Sequence, residues 1–370
     1  MRIAPPRPLP AARAAQRPAF AAIRPALAAT PPGSVAARPT LTATLSAVAA
    51  ALPVLAGALP ALTFSSNLHA QAWPARPITM VVATSPGGTT DFTARLIAEP
   101  LGKALGQSII VDNKPGAAGN IGTQAVARAK PDGYTLLLQY SGYHVGNPAL
   151  FSKLAWHPVN DFAPVANVIS APQVVAVPAA LPVKTLRELV ALAKTRKDKL
   201  NYASSGNGSI QHIAGEMLAQ LAGAPMVHVP YKGSGPAMTD LLAGTVDMFI
   251  TTPPPLVGYI QNGRLRGLAI TGKKRLASLP NVPTSAEAGL PAFELESWFG
   301  VLAPAGTPPE IVNRLSAEIK KISESESFRK QAVEQGAEAS YMDPRAFGEF
   351  IKAELVKWDK VIKSARLSLD

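Results

Sequence analysis

The feature that most constrains the fold is a recurring unit: a short apolar run, a glycine-rich turn, then apolar residues at helical spacing. "ITMVVAT" (78–84) runs into "SPGG" and then into Phe92, Leu96, Ile97, Leu101 and Leu105. "LNYASS" (200–205) runs into "GNGS" and then into Ile210, Ile213, Ala214, Met217, Leu218 and Leu221. The first part of each unit reads as a buried strand and the last as an amphipathic helix. A chain that alternates strands and helices in this way is α/β in class.

The same alternation continues along the chain. Strands are expected over 108–113 and 134–140, with a helix over 119–130 between them. Thr185 opens a further helix, and 226–251 reads as strand, helix, strand. Residues 168–178 and 294–304 are apolar and extended. The tail reads as helical, with one stripe through Ile311, Leu315, Ile319 and Ile322 and another through Phe347, Phe350, Ile351, Leu355 and Trp358. Asp343 and Pro344 supply an N-cap and a first-turn proline for the second of these. Pro100 lies inside the first helix and predicts a kink or break there. No internal repeat is visible.

The first 72 residues are of a different kind. They carry six arginines and no acid, and their apolar stretch 41–64 is uncharged and ends shortly before Ala70-Gln71-Ala72. The order basic, apolar, small is that of a secretory signal peptide cleaved near Ala70–Ala72. The apolar stretch is long enough to span a membrane, so a retained anchor is the alternative; Pro53, Pro60 and the small-residue exit favour cleavage. The forty residues before it exceed what a signal needs and suggest a start placed too far upstream. Of the 36 basic residues in the chain, 30 remain beyond the leader against 24 acidic ones. That mild excess suits a small anionic ligand and gives little support for nucleic acid. The chain has no cysteine, which removes disulfides, thiol nucleophiles and thiolate metal sites from consideration.

Two strand-to-helix loops share one design: Ser85, Pro86, Gly87, Gly88, Thr89, Thr90 and Asp91 in the first, and Ser204, Ser205, Gly208, Ser209 and His212 in the second. Free N–H groups at a helix start, glycine that lets a ligand approach the main chain, and neutral hydroxyl donors together suit a carboxylate or phosphate. Each is also explained by a tight turn with an ordinary cap. A third segment, Tyr231, Lys232 and Gly233, offers an aromatic wall and a cation, or is an exposed turn. A fourth carries Ser141 and His144 at the end of a strand; His144 is either an anion donor or a structural hydrogen-bonder. Asp91 has two readings, a helix-start cap or a partner for a ligand ammonium.

The enzyme motifs fit poorly. No glycine-rich loop ends in Gly-Lys-Ser/Thr as a phosphate-binding P-loop does. "GAAGNIG" (116–122) and "GNGSIQ" (206–211) both miss the dinucleotide spacing, and no G-x-S-x-G elbow occurs. His212 and Glu216 share a helix face without a third metal ligand. Neither a metal nor a cofactor is expected.

Several segments together resemble one family. They are "RPITMVVATSPGGTTDFTARLIA", "VDNKPGAAGNIGTQAVARAKPDGYTLLL", "NYASSGNGSIQHIAGEML", "HVPYKGSGPAMTDLLAGTVDMFI", "LPNVPTSAEAGLPAFELESWFGVLAPAGTP" and the tail "EFIKAELVKWDKVIK". In this order, over 73–370, they are similar to the Bug (TctC-like) periplasmic solute receptors, the extracytoplasmic subunits of tripartite tricarboxylate transporters. The resemblance implies a two-domain periplasmic binding protein of type II, a Venus flytrap with two hinge-crossing strands near 168–178 and 294–304. It implies domain 1 over 73–172 and 296–370, and domain 2 over 173–295. It also implies a small carboxylate ligand, held between the two loops partly through water, and membrane subunits as partners. Gly87, Gly88, Thr89 and Asp91 match its first loop, Ser204, Ser205, Gly208 and Ser209 its second, and Tyr231, Lys232 and Gly233 a third cleft segment. A monomeric receptor without enzymatic activity follows. An orphan sensory receptor, or a bilobed transferase, remains the alternative.

Overall fold

The computed structural model describes residues 73–364; the leader and its expected cleavage point lie outside them. Two sheets organise the described chain. The first contains β1 (Ile78–Val82), β2 (Ile109–Asn113), β3 (Thr135–Tyr140), β4 (Phe162–Pro172), β10 (Glu296–Pro304) and β11 (Glu338–Met342), in the order β11-β4-β10-β3-β1-β2. The second contains β5 (Val174–Pro178), β6 (Asn201–Ser204), β7 (Val227–Pro230), β8 (Met248–Thr251) and β9 (Leu265–Ile270), in the order β7-β6-β8-β5-β9. β1 pairs in parallel with both β2 and β3, and β6 with both β7 and β8. β10 is antiparallel to β3 and β4, and β5 to β8 and β9.

Each sheet is the centre of one lobe. The first carries α1 (Thr89–Leu105), α2 (Asn120–Ala127), a π-helical turn (Gly142–Gly146), α3 (Asn147–Leu150), α8 (Pro309–Glu324), α9 (Glu326–Glu334) and α10 (Pro344–Ser364). The second carries α4 (Leu186–Thr195), α5 (Ile210–Ala222), α6 (Ser234–Ala243) and α7 (Val257–Gln261). The central parallel strands are buried by helices on both faces: Met80, Val82, Leu136 and Leu138 are fully buried, and so are Tyr202, Met248 and Ile250, whereas the edge strands β2 and β7 are half-buried or exposed.

The chain crosses between the lobes twice. β4 passes into β5 through Gln173, and the return leads from β9 through Thr271 and Leu295 into β10. The crossings are tied together. Gln173 N–H donates to Thr271 Oγ1 at 2.8 Å, and Thr271 N–H donates back to the Gln173 carbonyl at 2.9 Å. Gln173 Nε2 donates to Ser297 Oγ at 3.0 Å. A buried polar cluster at a crossing fixes the register of both strands while leaving only two strands of backbone to flex.

Most elements stand where periodicity placed them. The Thr185 hydroxyl accepts from Glu188 N–H at 3.1 Å, and Asp343 Oδ1 from Ala346 N–H at 2.8 Å, so both predicted caps form. Two expectations need correction. α1 runs unbroken through Pro100. Pro100 and Leu96, whose carbonyl loses its helical donor, are both half-buried, so water can satisfy that carbonyl. The tail is not wholly helical: β11 joins β4 as an edge strand. Its residues are exposed or half-buried, so it shows no apolar run.

Candidate functional site

The first loop is shaped by Gly87, whose φ of 83° is open to glycine and strained for other residues. Gly88 then starts α1 without a side-chain cap. Asp91, one turn in, bends back and accepts the Gly87 N–H at 3.1 Å. Arg95 Nε holds both of its oxygens, at 3.2 and 3.1 Å. Burial pushes the Asp91 carboxyl up, but hydrogen bonds from Arg95 and Gly87 outweigh it and the net shift is down. Of its two readings, the geometry matches the helix-start one: Asp91 is engaged within its own loop and helix.

The second loop has a similar plan. Ser209 is the N-cap of α5 and accepts from His212 N–H at 3.3 Å. Ser204 Oγ lies 2.6 Å from His228 Nε2 and accepts the Gly206 N–H at 3.0 Å. His212 Nδ1 accepts the Gly208 N–H at 3.2 Å, and its ring stacks on His228 with centroids 3.9 Å apart. Burial lowers the pKa of both histidines, and the His212 ring beside it lowers that of His228 further. Two neutral rings thus brace the loop from below.

The structure brings the first loop against the third segment and Thr252, and both loops line one space. Ser85 N–H and Oγ both donate to the Lys232 carbonyl, at 3.3 and 2.7 Å. Thr89 Oγ1 lies 2.6 Å from Thr252 Oγ1. Ser205 Oγ lies 3.1 Å from Ser234 Oγ at the start of α6. Between them is a narrow cavity of about 10 Å³, room for about one water in this closed form. Gly88, Thr89 and Thr90 line it from α1, Ser205 and Gln211 from the second loop and α5, and Ser234 from α6. Three helix starts therefore converge on one space. The first-turn N–H groups of a helix have no acceptor within it, and its dipole favours a negative group there. No charged side chain lines this cavity among the described residues. Its preference for an anion comes from backbone and hydroxyl donors alone. Thr84 Oγ1 and Gln211 Oε1 are buried without a partner, and both residues line the cavity. Such atoms are costly unless an occupant satisfies them.

Other expected site residues stand apart from the cavity. Ser141 is fully buried. His144 is a correction: its Nε2 lies 2.9 Å from the Pro158 carbonyl, and its ring packs against Trp156, Phe162 and Trp298. Burial pushes its pKa down to about 4, so it is a neutral core residue rather than an anion donor. The Lys232 side chain is exposed and only its carbonyl joins the interface. Tyr231 donates to Asp240 at 2.6 Å. Gly233 is required for close approach, since a Cβ there would lie 2.8 Å from Ser85 N. Ser85, Pro86, Gly87, Gly208, Ser209 and His212 shape the loops without lining the cavity. Glu216 accepts from Tyr202 at 2.5 Å.

Sequence reasoning missed Thr84, Tyr140, Gln211, Ser234, Thr252, Ser297 and Phe299, all of which line the cavity. Thr84, Tyr140 and Thr252 stand at or just beyond the carboxyl ends of β1, β3 and β8. Open α/β sheets bind ligands at those ends, which is the signal that could have found them. Larger grooves flank the outer face of α1 around Arg95 and Lys103. They are open, and their charges pair among themselves, as Lys103 does with Glu99 at 2.6 Å.

Residues 93–367 match the model of the tripartite tricarboxylate transporter family receptor. The chain belongs to that receptor family. Solved relatives agree in fold. The periplasmic binding protein BugD is 34% identical with a TM-score of 0.78, over 80% of this chain and all of that one. Rpa4515 of R. palustris, solved with adipate, is 38% identical with a TM-score of 0.78, over 80% of this chain and all of that one. MatC from Rhodopseudomonas palustris, solved with malate, is 34% identical with a TM-score of 0.74, over 78% of this chain and all of that one. The receptor family is one of periplasmic solute-binding proteins, not enzymes. Among the described residues no helix is long and apolar enough to cross a membrane.

Proposed function

We propose that this receptor captures a small carboxylate by closing its lobes, 73–172 with 296–370 against 173–295, and delivers it to a tripartite-type membrane transporter. The observation that carries the reading is the convergence of three helix starts, α1, α5 and α6, on one cavity without charged lining. A carboxylate seats on the Ser204–Ser209 loop and the first turn of α5, and the Gly87–Thr90 donors close over it. Closure buries the ligand and shifts the population from open to closed. Neutral donors bind without a salt bridge, so opening releases the ligand readily. The adipate and malate bound by relatives are of the same chemical class. The receptor works as a monomer and reaches the periplasm through its cleavable leader.

Calorimetric titration of the mature protein with mono-, di- and tricarboxylates, amino acids and uncharged solutes tests the reading. Binding of at least one carboxylate, one per chain and without turnover, is expected. Binding of uncharged solutes alone would sink it.

A further inference from the structure

The turn "GAAG" (116–119) and the π-helical turn 142–146 do not line the cavity, yet they meet at one side chain. We infer that Tyr143 is a positioning residue that reaches across the cleft and holds the second binding loop in its closed-state form. The inference rests on the closing-receptor reading and adds a determinant of closure that does not touch the ligand.

The geometry is specific. Tyr143 belongs to the first lobe, but its hydroxyl donates to the Ser205 carbonyl of the second lobe at 2.7 Å. Ser205 is one of the residues that line the cavity. A carbonyl oxygen turned toward a bound carboxylate would repel it, and Tyr143 engages that oxygen instead. The neighbouring backbone leaves room for this contact. A Cβ on Gly142 would lie 2.9 Å from Ile210 N, so the π-helical turn meets the start of α5 with no side chain between. Gly146 packs near the Gly208 carbonyl, 3.7 Å from where its Cβ would be.

The ring is held from its own lobe. It packs against Tyr140 with centroids 4.7 Å apart. On its other side lies Gly119, where a Cβ would fall 2.1 Å from Tyr143 Cδ2. Ala117 and Ala118 leading to it adopt φ of 46° and 53°, a conformation that non-glycine residues rarely take. Asn147 Nδ2 donates to the Ala118 carbonyl at 2.9 Å and ties this turn to the segment that carries Tyr143. The strained turn is thus a seat for one phenol. Strain of this kind persists where surrounding structure fixes it and clusters at functional sites, as π-helical turns do.

The chain lacks cysteine, so spin labels can be placed cleanly at the exposed Ala125→Cys in the first lobe and Thr239→Cys in the second. The midpoint of closure with adipate and with malate is read by the inter-label distance in the parent and in Tyr143→Phe, which keeps the ring and removes the donor. The inference expects both midpoints to rise about five- to tenfold, their ratio to stay within about twofold, and the melting temperature to change little. Unchanged midpoints overturn it. A changed ratio also overturns it, because it would mean that Tyr143 contacts the ligand. If neither acid binds the parent, the function reading is what suffers. The ligand-free distances then decide: a longer distance in Tyr143→Phe supports the inference and an identical one contradicts it.

Discussion

Thr89 in the first lobe and Thr252 in the second place their hydroxyl oxygens 2.6 Å apart across the closed cleft. Both are buried, so each is the other's partner in a space with few alternatives. Thr252→Val keeps the shape and removes the bond. Ligand affinity should fall about three- to tenfold, the worth of one neutral hydrogen bond, with little change in the melting temperature of the ligand-free protein. Calorimetry and thermal melts of the variant check this.

Gly235 gives a steric test. A Cβ there would lie 2.3 Å from the Pro86 carbonyl across the cleft. Its backbone is not in the left-handed region, so alanine suits α6 and should raise its helix propensity. Gly235→Ala should keep the fold intact, hold the lobes apart and lower affinity at least about tenfold, since only the closed state meets the clash. Small-angle scattering with saturating ligand should show a larger radius of gyration than the parent.

Asp91 should prove structural. Asp91→Asn breaks the pair with Arg95, whose side chain is more than half exposed, so solvent screening limits the loss to about 1–2 kcal/mol. The native pKa lies below the ordinary carboxylate value. The contribution is therefore present above about pH 4 and is lost as the pH falls through the native value. Melting curves of parent and variant should converge in acid. The order of preference among ligands should be the same in both.

His144 sets an acid limit on stability. Its native pKa is about 4, against about 6.5 unfolded. Above pH 6.5 both states are neutral. As the pH falls from there toward 4, the unfolded chain takes up a proton that the native one refuses, and stability drops. His212 and His228, also shifted down, act in the same direction. Denaturant unfolding across this range should show proton uptake, and His144→Gln should reduce it by about one proton.

The units legible in the sequence are the local ones. Strand, glycine turn and helix follow each other within about twenty residues, so the order of residues alone reveals both strand-to-helix loops. It also reveals the caps at Thr185 and Asp343, because a cap needs only its next three residues. The rest of the cavity is assembled by topology. Thr252 meets Thr89 over 163 residues, and Ser297 and Phe299 arrive on β10, which the crossover inserts between β3 and β4. No local pattern reports such meetings. His144 misleads because a histidine among glycines resembles a loop residue, whereas three aromatic rings from distant segments surround it. β11 is silent because an edge strand needs no apolar run.

The most direct test of the account is a crystal structure of residues 73–370 with whichever acid of the calorimetric panel binds most tightly. The account predicts closed lobes with a carboxylate in the cavity, its oxygens within hydrogen-bond reach of the first-turn N–H groups of α1 and α5 and the Ser205 hydroxyl. A ligand that turns an uncharged end toward those groups, or that sits outside the cavity with the lobes shut, would contradict it.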